Sequence, residues 1–164
     1  MKSQHDQFIT WLNSAYSMEQ SLEKVLQNHA KDASDFPEIR DRIERHIAET
    51  RGHAERVREC LSLLDETPST AKSVIGNITG MVQGASTGLF RDELIKNFLG
   101  DYASEHFEIA CYRSLIAAAE DLEQPEIAEL CRANLRDEEE MARWLEDSIP
   151  QVTRLVLAQQ AVDA

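Results

Sequence analysis

One helical seam in the sequence carries a charge where it should be apolar. Ile95, Phe98, Tyr102, Glu105, Ile109, Tyr112, Ile116 and Ala119 recur at alternating steps of three and four, the spacing of a buried stripe on an α-helix. Glu105 stands in the middle of that stripe and Glu108 follows it by three residues. A buried carboxylate is costly unless something pairs with it. A chain that folds around this seam must therefore bring a partner to Glu105.

The rest of the chain is also helical in period. Residues 4–30 set Phe8, Trp11, Leu12, Ala15, Met18, Leu22, Val25 and Leu26 on one stripe, with Glu19 inside it. The segment KDASDFP ends that helix and places Pro37 in the first turn of the next, where a proline is well tolerated. Residues 37–64 carry Ile39, Ile43, Ile47, Thr50, Ala54, Val57, Leu61 and Leu64, beside a polar stripe of His46, Glu49, His53 and Arg56. Further helices are expected over 89–121 and 125–148, the latter with Ile127, Cys131, Asn134, Glu138, Met141, Ala142 and Leu145 on its inner face. Residues 65–88 hold Pro68 and four of the six glycines, with a short amphipathic helix expected around Val74, Ile75, Ile78, Met81 and Val82. A connection this long can carry the chain from one end of a bundle to the other. Pro150 is expected to break or bend the fourth helix, leaving a short helical tail with Val152, Leu155, Val156 and Leu157. Residues 1–164 read as a single all-α domain, a four-helix bundle with one long crossover connection.

Charge and cysteine usage narrow the partners. A formal net charge of −13 argues against a nucleic-acid or anionic-membrane surface, which needs a basic patch. No run approaches the ~18 apolar residues of a membrane span, and the start MKSQHDQFITWLNSAY has no signal-peptide core. Cys60, Cys111 and Cys131 are odd in number and far apart, which fits free thiols in a reducing cytoplasm.

The two halves of the chain repeat a pattern: Tyr16-x-x-Glu19 returns as Tyr102-x-x-Glu105, and the second and fourth helices each place an acid near mid-length, Glu49 and Glu138. With turns centred near residues 34 and 123, Glu19 and Glu49 are level in an antiparallel pair, as are Glu108 and Glu138. Glu105 lies ~4.5 Å further along the axis. His53 shares a helix face with Glu49. Such a set of acids in a low-dielectric core stays charged only if a cation neutralises it. Carboxylate oxygen with imidazole nitrogen suits iron, manganese or zinc, and two bridged metals use so many acids economically. Tyr16 and Tyr102 are placed to donate hydrogen bonds to Glu19 and Glu105. His46, His106, His5 and His29 read as surface or capping residues.

The segments YSMEQSLEKVL, HIAETRGHAERV, YASEHFEIACYRSL and LRDEEEMARWLED resemble the four helices of the YciE/YciF-type ferritin-like stress proteins, over residues 8–148. The resemblance implies a ferritin-like four-helix bundle with one crossover, a homodimer, and a bacterial cytoplasmic protein linked to stress. By analogy with rubrerythrin-like di-iron sites it implies Glu19, Glu49, His53, Glu105, Glu108 and Glu138 as metal ligands. Glu105 and Glu49 would bridge, Glu19 and Glu138 would be terminal, and His53 would supply the nitrogen. Iron is the implied metal, with manganese or zinc as alternatives, and peroxide or dioxygen the implied oxidant. The chain departs from the common Glu-x-x-His pattern: Glu49 and His53 are four apart, with Gly52 where that histidine would stand, and the fourth helix offers Met141 and Ala142 where a further ligand is expected. On this count the second metal lacks a ligand. The competing expectation is a metal-free four-helix-bundle stress or interaction protein that has lost a complete di-metal site.

Overall fold

A computed structural model describes residues 3–69, 80 and 92–162, without the side chains of 160–162. Four α-helices occupy them: α1 (Gln4–Asp32), α2 (Pro37–Ser62), α3 (Glu93–Asp121) and α4 (Pro125–Val162). Their ends follow local chemistry. Ser3 caps α1 through a reciprocal pair, its Oγ accepting from Asp6 N while Asp6 Oδ2 accepts from Ser3 N, which satisfies two otherwise orphaned donors. Pro37 and Pro125 open α2 and α4. The third helix starts at Glu93 rather than 89, because Asp92 is extended and its carboxylate accepts from the amides of Leu94 and Ile95.

α1 packs against α2 and α3, and α4 packs against α3 and α2. Cross-helix pairs fix the directions. His29 meets Asp101 and Glu19 meets Tyr112, so α1 and α3 are antiparallel. His53 meets Asp137 and Arg56 meets Asn134, so α2 and α4 are antiparallel too. α2 and α3 therefore run parallel, and the chain leaves α2 at one end of the bundle and enters α3 at the other. That is the crossover expected from the length of the 65–88 segment. The short helix expected around 74–82 falls outside the described residues, apart from the helical Gly80.

The fourth helix corrects one expectation. It passes through Pro150 without a break and absorbs the tail. Proline removes a helix hydrogen bond and crowds the carbonyl four residues back. The stripe Met141, Leu145, Ile149, Val152, Val156 nevertheless continues across it into one apolar cluster, and Val152 and Val156 are buried on the chain's own bundle. Burial of that stripe holds the helix together at its weakest point.

Among the described residues, two apolar clusters fill the bundle. One gathers Phe8, Leu12, Leu61, Tyr112 and Ile127 at the end where α1 begins. The other gathers Leu26, Ile43, Phe98, Met141 and Leu145 at the opposite end. Between them lies a layer of buried polar groups: Glu19, His46, His53, Glu105, Glu108, Asn134 and Glu138. Among the described residues no helix is long and apolar enough to cross a membrane.

Candidate metal centre

All four helices contribute to the polar layer. Glu19 comes from α1, His46 and His53 from α2, Glu105 and Glu108 from α3, and Glu138 from α4; each is at most 3% exposed. The donors fall into two groups, Glu19–His53–Glu138 and His46–Glu105–Glu138, each with its donor atoms within 4.8 Å of one another. Glu138 belongs to both. Its Oε1 lies 2.8 Å from His53 Nδ1 and its Oε2 lies 3.6 Å from His46 Nε2. Glu108 is buried among these acids, and the charges of Glu138, Glu19 and Glu105 all act on it.

Each imidazole is held from behind by a carboxylate outside the two groups. His46 Nδ1 is 2.7 Å from Glu49 Oε2, while its Nε2 is 3.0 Å from Glu105 Oε1. His53 Nε2 is 3.1 Å from Asp137 Oδ2, while its Nδ1 faces Glu138 and, at 3.5 Å, Glu19 Oε2. A carboxylate on one ring nitrogen orients the ring and turns the other nitrogen inward, as is usual for metal-bound histidine. The outer acids are themselves anchored: Arg42 donates to Glu49 and Arg56 donates to Asp137. Glu19 accepts from Tyr112, whose hydroxyl oxygen accepts in turn from Asn134 Nδ2.

The fit to a cation is testable on unpaired atoms. Among the described residues, seven buried side-chain nitrogen and oxygen atoms lack a hydrogen-bond partner, and five of them are Glu19 Oε2, His53 Nδ1, Glu105 Oε2 and both Glu138 oxygens. Buried polar groups are ordinarily paired. His53 Nδ1 and Glu138 Oε1 are 2.8 Å apart yet out of line for a hydrogen bond. Lone pairs that crowd together without pairing are arranged as around a cation, and the oxygen and nitrogen set suits a divalent first-row metal.

The charge state of the layer without metal follows from burial and crowding. Burial, then the charges of Glu138, Glu19 and Glu105, hold Glu108 well above the usual carboxylate range. Burial and the charge of Glu105 push Glu138 up to about 8. For the histidines, burial opposes the charged ring, but the neighbouring carboxylates outweigh it. His46 rises to about 10, chiefly through Glu105 and Glu49, and His53 rises well above its ordinary value through Glu138, Glu19 and Asp137. Protons therefore stand in for positive charge in this layer.

The structure brings five of the six expected residues into the buried layer: Glu19, His53, Glu105, Glu108 and Glu138. It sets Glu49 outside both donor groups, a third exposed and bonded to Arg42 and His46. The α2 residue that meets Glu19 is His53, at 3.5 Å, four residues beyond Glu49. Side chains on a helix lean toward its N-terminus, so in this pair the α1 side chain leans away from the turn and the α2 side chain leans toward it. The residue that meets Glu19 must then lie further along α2. His46 is the residue missed. It is not a surface or capping histidine but is 1% exposed, and it brings a second imidazole into the donor groups, to which Met141 and Ala142 contribute none. Its sequence signal is the step of seven to His53, two turns on one face. His29 is likewise buried rather than superficial. The tyrosines also differ from expectation: Tyr112 bonds Glu19, whereas Tyr16 bonds Arg58 and Gln20, and Tyr102 lies edge-on to His106.

A four-helix bundle with one crossover and a carboxylate–histidine layer at mid-length belongs to the ferritin-like class. The structure of a ferritin-like, diiron-carboxylate protein from Bacillus anthracis str. Ames shares the fold, with a TM-score of 0.73 and 18% identity over 91% of this chain and 99% of that one. The family model described as a domain of unknown function, DUF892, matches residues 3–158, and the chain belongs to this family, that of the YciE/YciF-type ferritin-like proteins. Protein YciF of Escherichia coli (strain K12) is 28% identical over 145 residues, covering 84% of this chain and 85% of that protein. The structure of that E. coli stress protein superposes with a TM-score of 0.81 over 94% of this chain and 99% of that one, at 23% identity. A protein from Xanthomonas campestris pv. campestris str. ATCC 33913 is 32% identical, with a TM-score of 0.82 over 96% of this chain and 98% of that one.

Proposed function

We propose that the buried layer binds two divalent metal ions, iron foremost, with manganese or zinc as alternatives. Glu19, His53 and Glu138 would hold one ion, and His46, Glu105 and Glu138 the other. Glu138, common to both groups, would serve either ion, and Glu108, buried among these acids, would add a further carboxylate to the layer. The observation that carries this reading is the pair of donor groups meeting at Glu138, whose oxygens have no hydrogen-bond partner. Two bound ferrous ions would supply the electrons to reduce a small oxidant such as peroxide or dioxygen. The chain's own residues do the rest. Glu49 and Asp137 fix the ring orientations of His46 and His53, Tyr112 holds Glu19 in place, and the flanking apolar clusters limit access by bulk water. The relatives support the setting: YciF is a stress protein and the B. anthracis structure is a diiron-carboxylate protein. A cytoplasmic, stress-linked homodimer is part of this reading, and sedimentation velocity of the loaded protein reads the dimer.

Metal analysis after anaerobic reconstitution with ferrous iron and desalting tests it. About two irons per chain are expected, and less than about a tenth of one would sink the proposal.

A second reading has one observation in its favour. Each core histidine faces carboxylates through both ring nitrogens, so two imidazolium ions neutralise much of the layer without metal. The chain would then be a metal-free stress or interaction protein. Glu108→Leu separates the two readings. In a metal-free bundle it removes a buried acid and raises the melting temperature, with no other consequence; in a metal centre it lowers the iron content.

A further inference from the structure

One more acid is buried with an unpartnered atom, and it lies outside the two donor groups. Asp101 is 2% exposed and its Oδ2 has no hydrogen-bond partner. Its Oδ1 lies 2.7 Å from His29 Nδ1. The pair interrupts the second apolar cluster, between Leu26 and Ala30 on α1 and Ile95 and Phe98 on α3. Apolar residues of similar volume often stabilise as much as a buried ion pair or more, so packing gives no reason for these two.

Their position gives one. Asp101 precedes Glu105 by one turn on α3, ~6 Å along the axis, and the charges of Glu105 and His46 act on it. On the solvent side, the charges of Asp32 and Glu93 act on His29, and both acids are exposed at this end of the bundle. Oxygen and nitrogen donors thus descend in order from water to the core: Asp32 and Glu93, then His29, then Asp101, then Glu105. His29 shares with His46 and His53 one ring nitrogen held on a carboxylate, and Nδ1 on Asp101 turns its Nε2 away from that acid.

We propose that His29 and Asp101 form an entry site through which a divalent cation reaches the core layer from the end of the bundle that holds the α1–α2 turn. Asp32, which accepts from Asn97, and Glu93, which is paired with Lys96, are the exposed carboxylates whose charges act on His29, and they draw the hydrated cation in, since exposed carboxylates raise the local concentration of cations. His29 Nε2 meets the cation first, on the side of the ring away from Asp101, the free Oδ2 of Asp101 takes it next, and Glu105 takes it from Asp101. The inference rests on the layer being a metal centre.

Loading kinetics test both parts separately. Co2+ is mixed with metal-free protein, and the rise of its protein-bound visible absorption is followed to an end-point measured as Co2+ per chain. Asp101→Asn and His29→Gln are expected to slow loading by about tenfold or more with the end-point unchanged. The exposed double variant Asp32→Asn/Glu93→Gln leaves the core untouched. It is expected to slow loading at low ionic strength and to match the wild type at high salt, where exposed charges are screened. Loading as fast as wild type in all three variants overturns the entry site and leaves the core centre standing. A lowered end-point in Asp101→Asn also overturns it, by making Asp101 part of the centre itself. No bound Co2+ in the folded wild type overturns both.

Discussion

Glu138 faces both core histidines, one with each oxygen, while Glu49 meets His46 at its outer nitrogen and is otherwise held by Arg42. The two acids should therefore fail differently. Glu138→Gln keeps the volume but removes the shared charge, and it is expected to abolish binding of both metals with the helical circular dichroism intact. Glu49→Gln loses only ring orientation and is expected to weaken binding by about 10–100-fold with two metals still bound. Calorimetric titration with Zn2+ reads both. Equal loss in the two variants would make Glu49 a ligand in its own right. The same residues give the metal-free protein a pH signature. His46 rises from 6.5 to about 10 on folding and Glu138 from 4.5 to about 8, so between these values the folded chain binds protons that the unfolded chain has released. Stability then falls as pH rises. His46's part is whole below 6.5 and gone above about 10. Urea midpoints in chelator should drop over this window, and a flat or rising profile would contradict the buried charge state. Bound metal displaces the same protons, so the drop should be smaller in the loaded protein.

Pro150 sits inside α4, where a proline costs about 3 kcal/mol relative to alanine. Pro150→Ala restores the amide and is expected to stabilise the chain by about 1–3 kcal/mol, read as a higher urea midpoint. An unchanged or lower midpoint would mean that the packing of Val152 and Val156 needs the proline's geometry. The helix was readable through that residue, because the steps from Met141 to Val156 never leave the buried face. A local breaker masked a tertiary stripe. On α2 the difficulty was of another kind. Ile39, Ile43, Thr50, Val57 and Leu61 were legible as core from their spacing. His46 and His53 lie on the same buried face, but a polar residue type gives no sign of burial until its partners on α3 and α4 are known. Tyr112 was legible as a seam residue, while its bond to Glu19 depends on how α1 and α3 pack, which neither helix's own period encodes.

Across the whole molecule, the four helices and the crossover follow from helical period, turn chemistry and one long connection. So does the idea of a single acid layer, since Glu19, Glu105, Glu108 and Glu138 sit near mid-length on three helices. What length arithmetic missed was the lean of side chains across the α1–α2 pair, which exchanges Glu49 for His53 opposite Glu19 and leaves room for His46 at the second position. With His46 in place the layer holds two matched donor groups rather than one and a fragment. Anomalous X-ray diffraction from iron-loaded crystals tests this most directly. Two peaks about 3.5–4 Å apart are predicted, one against Glu19, His53 and Glu138 and the other against His46, Glu105 and Glu138. A layer with no anomalous peak, or with a single peak that His46 does not touch, would contradict it.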